Sequence, residues 1–138
     1  MATVREVYQY LDGLAPFSLQ MDFDNAGFLV GRGDRTVTKI LVSLDITEEV
    51  AAEAAEVGAE LIVSHHPVIF HPARSVTDGG PDGRILLSLI EHGIAAICAH
   101  TNLDAVAGGV NDALAQKLGL VQIEQLHQDG VDASGRQI

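Results

Sequence analysis

Apolar residues recur along this chain in two rhythms, helical spacing and short unbroken runs, separated by breaks rich in glycine and proline. Thr3-Val4-Arg5-Glu6 has the S/T-x-x-E form of a capping box, and Val4, Val7, Leu11 and Leu14 then share a helical face until Pro16. The spacing predicts a helix from Val4 to about Leu14. Asp22 to Gly33 (DFDNAGFLVGRG) carries glycines, Asp24-Asn25 and a short apolar insert, and reads as a turn with an extended segment. Lys39 to Leu44 (KILVSL) reads as a buried strand ending at Asp45. Thr47 then caps a helix through EEVAAEAAEVG, with Glu48 and Glu49 favourably placed in its first turn and Gly58 as its stop.

A second buried strand is predicted at Glu60 to Ser64, followed by a long irregular segment, HHPVIFHPARSVTDGGPDG, whose prolines and glycines argue against regular structure. Beyond it the pattern predicts a helix over Arg84 to His92 closed by Gly93, and a strand over Ile94 to Ala99. A further helix is predicted over Val110 to Leu118 closed by Gly119, and a last strand over Leu120 to Leu126. Strands alternating with helices indicate an α/β fold: a mostly parallel or mixed sheet of about four strands with helices packed on it. Residues 1–126 form the expected domain, and 127–138 read as a polar, glycine-rich tail or linker.

In open α/β sheets ligands bind beyond the carboxyl ends of the strands, so the residues ending each strand carry the most weight. Here they are Asp45, His65-His66, and His100-Thr101-Asn102-Leu103-Asp104. Imidazole and carboxylate together suit transition ions in mixed N/O sites. His65 and His66, diverging at a strand end, can serve two neighbouring ions, with Asp104 completing or bridging the pair. Ions about 3.5–4 Å apart would activate water and clamp a phosphate or carbonyl oxygen. Taken locally, the His-His pair fits polar loop residues as well, and His100 fits a capping or supporting role as readily as ligation. Asp45 reads most simply as a turn or helix-entry acid, Asp24-Asn25 as an Asx turn, and Gly108-Gly109 as a tight turn rather than an anion cradle. His71, His92 and His127 read as surface residues.

Charge sharpens this. Nineteen acidic against eight basic residues give a net charge of −11, with no Lys/Arg cluster, which argues against nucleic acid as a partner. An anionic small molecule would be repelled unless a bound cation reversed the local sign. Cys98, the single cysteine, lies in an apolar run and reads as a core thiol, which suits a cytoplasmic protein. No stretch approaches the ~18 apolar residues of a membrane span, so no membrane partner is expected.

The order DNAGFLVG (Asp24 to Gly31), ILVSLD (Ile40 to Asp45), LIVSHHPVIF (Leu61 to Phe70) and AHTNLDAVAGGVNDALAQKLGL (Ala99 to Leu120) resembles the Ngg-interacting-factor-3-like family. Its members are also called dinuclear metal centre proteins or GTP cyclohydrolase I type 2 homologs. The resemblance implies one half of a two-lobed metal-binding α/β fold and a ring-shaped homohexamer. It also implies a metal-dependent hydrolase acting on a small anionic substrate such as GTP. Carried over, His65, His66 and Asp104 are the metal ligands for two divalent ions (Zn, Fe, Mn or Ni), and His100 lies close to the site. A non-catalytic metal-binding or interaction module is the alternative. Phe23 stands where the family usually has Trp. A His-x-x-x-Glu pair that completes the family's metal site is not present in these residues, so the resemblance covers an N-terminal half and the site is expected to be incompletely ligated.

Overall fold

The computed structural model describes residues 1–124 and Gly130. The capping box forms as its sequence predicts: the Thr3 hydroxyl accepts from the Glu6 amide, and the Glu6 carboxylate accepts from the Thr3 amide. It starts α1 (Val4–Leu14) directly after a two-residue strand, β1 (Ala2–Thr3). A single 3-10 turn (Phe17–Leu19) follows, then β2 (Gly27–Val30), β3 (Thr36–Val37) and β4 (Ile40–Ser43). The remaining elements are α2 (Glu48–Glu56), β5 (Leu61–Ser64), α3 (Pro81–Glu91), β6 (Ala95–Cys98), α4 (Thr101–Ala105) and α5 (Val110–Lys117).

The main sheet has the order β2-β6-β5-β4, with β4, β5 and β6 parallel and β2 antiparallel to β6. This is the mixed four-stranded sheet with packed helices that the pattern predicts, but its fourth strand differs. Leu120 to Glu124 form no strand, and Gln125 and Leu126 lie outside the described residues, as does His127. The edge place is taken instead by β2, the extended insert between Asp24-Asn25 and Gly31. β1 and β3 pair as a separate two-stranded ribbon.

Alternate residues of the central strands enter opposite cores. Leu61, Ala95 and Ile97 face Val4, Phe17 and Val37 on the α1 side. Ile62 and Ala96 face Ala51, Ala54, Ile85 and Leu89 from α2 and α3. Burial on both faces explains why β5 and β6 read as unbroken apolar runs.

α3 begins three residues earlier than the sequence predicts, at Pro81. Proline suits the first helical position because its missing N–H would have no intrahelical partner there. Gly83 follows because the Thr77 carbonyl occupies the space a Cβ would need. The Gly108-Gly109 turn has a similar cause: Gly108 has φ +78°, and a Cβ on Gly109 would collide with the Leu103 carbonyl. Among the described residues no helix is long and apolar enough to cross a membrane.

Candidate metal centre

The parallel register aligns Ser43, Ser64 and Cys98 in one row across β4, β5 and β6. Two residues past that row stand Asp45, His66 and His100. The ladder continues briefly, with the His66 amide donating to the Leu44 carbonyl (2.9 Å) and the Ala99 amide to the Ser64 carbonyl (2.9 Å). Strand pairing thus delivers these side chains to one edge, although they lie far apart in sequence.

One ring nitrogen from each of His65, His66 and His100 lies within 4.8 Å of the others. Their ring centroids are separated by 5.1 Å (His65–His66), 5.0 Å (His65–His100) and 5.6 Å (His66–His100). Each ring has its Nδ1 engaged. His65 Nδ1 is 2.9 Å from the Ala99 carbonyl oxygen, His66 Nδ1 is 2.7 Å from Asp45 Oδ1, and His100 Nδ1 is 2.9 Å from Asp24 Oδ1. A carbonyl or carboxylate oxygen only accepts, so Nδ1 is the donor, and in the neutral ring Nε2 keeps its lone pair. An imidazole held through one nitrogen with the other free is the usual form of a metal ligand.

Asp104, in the short helix α4, places Oδ1 3.7 Å from His65 Nε2. That is too long for a hydrogen bond. It is close to the roughly 3.4 Å separating two donors on one tetrahedral ion with bonds near 2.1 Å. The donor set therefore fits a divalent transition ion. A cleft of about 400 Å³ opens beside His66, bordered by Asp45, Thr47, Val68 and Ile85.

The Duf34/NIF3 (NGG1p interacting factor 3) family model matches residues 2–137. This chain belongs to that family. A GTP cyclohydrolase 1 type 2 homolog from Clostridium perfringens is 44% identical over 116 residues, which cover 84% of this chain and 44% of the relative. Another of the same name, from Halalkalibacterium halodurans, is 43% identical over 126 residues, 91% of this chain and 34% of that protein. The crystal structure of a Bacillus cereus protein related to NIF3 superposes with a TM-score of 0.88 at 38% identity, covering 93% of this chain and 36% of that one. This NIF3-family chain therefore spans less than half the length of these relatives.

Within it, the structure brings His65, His66 and His100 together and sets Asp104 on the His65 side. His100 occupies the N-cap position of α4 but makes no side-chain cap. Its ring turns to Asp24 instead. Asp45 and Asp24, read from sequence as turn acids, prove to hold two of the three imidazoles. The Asx turn expected at Asp24 does not form: its Oδ1 accepts from the adjacent Asn25 amide (2.7 Å), and the Ala26 amide, which such a turn would use, donates to Gln20 Oε1 (2.8 Å). Burial works to raise the Asp24 carboxyl, but hydrogen bonds from Thr101, His100 and the Thr101 and Asn25 amides outweigh it and hold it below its ordinary value. Cys98 is a core thiol as predicted: burial, then the nearby Asp24 charge, pushes it up to about 12, and Sγ donates to the His65 carbonyl. His92, at the end of α3, bonds through Nδ1 to the Ser88 carbonyl (2.8 Å), and His71 is exposed.

Proposed function

We propose that this chain carries one part of a divalent-metal hydrolase site that acts on a small anionic substrate, with a nucleotide such as GTP as the reading suggested by the relatives' names. The observation that carries this is the convergence of three imidazoles, each fixed through Nδ1, with Asp104 beside them. His65, His66 and Asp104 serve as ligands, and His100 supplies a third imidazole. A bound Zn, Fe, Mn or Ni ion would supply Lewis acidity and positive charge at the sheet edge.

The chain's own residues do the rest. The Ala99 carbonyl, Asp45 and Asp24 hold the rings in orientation, and the cleft beside His66, bordered by Asp45, Glu48, Glu49 and Asp82, would admit an anion only once a cation sits at the ligands. A chain of net charge −11 needs a local cation before an anion can approach. Any three of these four donors on one tetrahedral ion leave the fourth position open for water or substrate, as a catalytic ion requires. A second ion would draw on ligands beyond these four, and the ring-shaped homohexamer implied by the family resemblance belongs to the same proposal.

Zinc and manganese titration of the full chain, followed by assay of GTP and simple phosphoesters, tests this. Saturable binding that falls at least tenfold in His65→Ala with Asp104→Ala, and hydrolysis lost in the same variant, is the expected result. Turnover that survives the double substitution excludes the site as the catalyst. Binding without turnover of any substrate leaves a metal-binding module, and no binding at all removes the metal reading.

A further inference from the structure

The Asp24 side chain is 0% exposed, whereas the imidazole it holds is 19% exposed. A carboxylate taken wholly out of water is costly unless donors replace its hydration. Here four do. Oδ1 accepts from His100 Nδ1 (2.9 Å) and the Asn25 amide (2.7 Å), and Oδ2 accepts from the Thr101 amide (3.1 Å) and the Thr101 hydroxyl. The same hydroxyl accepts from the Met21 amide at 2.9 Å. Thr101 is the first residue of α4, the helix that carries Asp104. One buried group therefore grips both the His100 ring and the start of the Asp104 helix, reaching across 76 and 77 positions of sequence.

We infer that Asp24 is a positioning residue: it fixes His100 with the proton on Nδ1 and Nε2 turned to the cluster, and it sets the place of α4 relative to that ring. All four of its contacts are donors, so only an acceptor at both oxygens suits the site. An asparagine there would set an amide NH2 against N–H or O–H groups on one side. The His100 ring can answer by moving its proton to Nε2, which removes the lone pair the cluster needs. The consequence for metal binding rests on the function proposed above, but the tautomer itself does not.

Long-range proton–nitrogen spectra of the metal-free chain, recorded at mildly alkaline pH, read the tautomer of each neutral histidine. His100 is identified by the signal missing in His100→Gln. The expected result is Nδ1–H for His100 in the unsubstituted protein and loss of that preference in Asp24→Asn. His65, held by the Ala99 carbonyl, keeps its own tautomer in both. A merely structural defect would disturb the two rings together. Zinc affinity of Asp24→Asn should fall by about 10- to 100-fold. Nε2–H on His100 in the unsubstituted protein overturns the inference even if the variant does not fold, and an unchanged His100 tautomer in Asp24→Asn overturns it as well. Failure of the unsubstituted chain to bind zinc, with the tautomers as expected, would refute the metal reading and leave the role of Asp24 standing.

Discussion

Two imidazole–carboxylate pairs flank the candidate centre, and they differ in almost everything except their chemistry. His66 and Asp45 meet at 2.7 Å with side chains 45% and 52% exposed. His100 and Asp24 meet at 2.9 Å with 19% and 0% exposed. In the first pair water competes for both partners and screens their attraction, so the contact is worth little on its own. In the second, the carboxylate has exchanged water for four protein donors, so it cannot be removed without leaving those donors buried and unpaired. The same contact thus adjusts one ring at the surface and is built into the fold at the other.

Removing each carboxylate tests that contrast most strongly. Asp24→Ala strands the Thr101 and Asn25 amides beside a cavity, and each buried donor left unpaired costs about 1–3 kcal/mol. A loss of roughly 3 kcal/mol or more in urea denaturation is expected. A loss below about 1 kcal/mol would mean that water enters and replaces the carboxylate, and the contrast between the pairs would collapse.

Glu60 separates donor number from burial. Its solvent-accessible carboxylate accepts from the Thr38 amide (3.0 Å), the Lys39 amide (2.9 Å) and the Thr38 hydroxyl (2.9 Å), pinning the approach to β4 beside β5. The Thr38 and Lys39 amides, then the Thr38 hydroxyl, pull its carboxyl from 4.5 down to about 2. A folded pKa below the unfolded one means stability that is fully present above pH 4.5 and is lost as pH falls towards about 2. Glu60→Gln should therefore lower the urea midpoint at neutral pH, with the gap from the unsubstituted protein closing across that window. A gap independent of pH would show that the protonated carboxyl serves these donors as well as the carboxylate does, and that donor number without burial confers no charge preference.

The parts of this arrangement that sequence discloses are the ones fixed locally. The capping box at Thr3 and Glu6, the Thr47 cap and the apolar runs of β4, β5 and β6 depend on residues a few positions apart. The strand ends that follow from them locate His65, His66, His100 and Asp104. β2 is four residues that begin on Gly27 and stop before Gly31, and only its pairing with β6, about seventy residues away, makes it a strand. The Leu120–Leu126 run carries the same apolar signal without such a partner over its described part. Asp24 and Asp45 read as turn acids because each sits in turn-forming sequence. Their partners, His100 and His66, lie 76 and 21 positions away. The register row Ser43–Ser64–Cys98 is the signal that could have found Asp45, since it places Asp45 level with His66 once the strands are aligned.

The smallest expected effect belongs to the exposed pair. Asp45→Ala removes the acceptor that holds His66 Nδ1, but the ring is open to solvent and water can take the same hydrogen bond. Stability should change by less than about 1 kcal/mol. Zinc affinity should drop only severalfold, short of the roughly 10- to 100-fold typical for loss of a group supporting a ligand. Asp45 also borders the cleft beside His66, so its removal takes one negative charge from the path of an anionic substrate. If hydrolysis occurs, this predicts a lower KM for anionic substrates as ionic strength falls, measured against the unsubstituted protein at saturating metal. A loss of stability or affinity matching that of Asp24→Ala would show that exposure does not weaken the His66 contact, and that the two pairs are equivalent supports of one site.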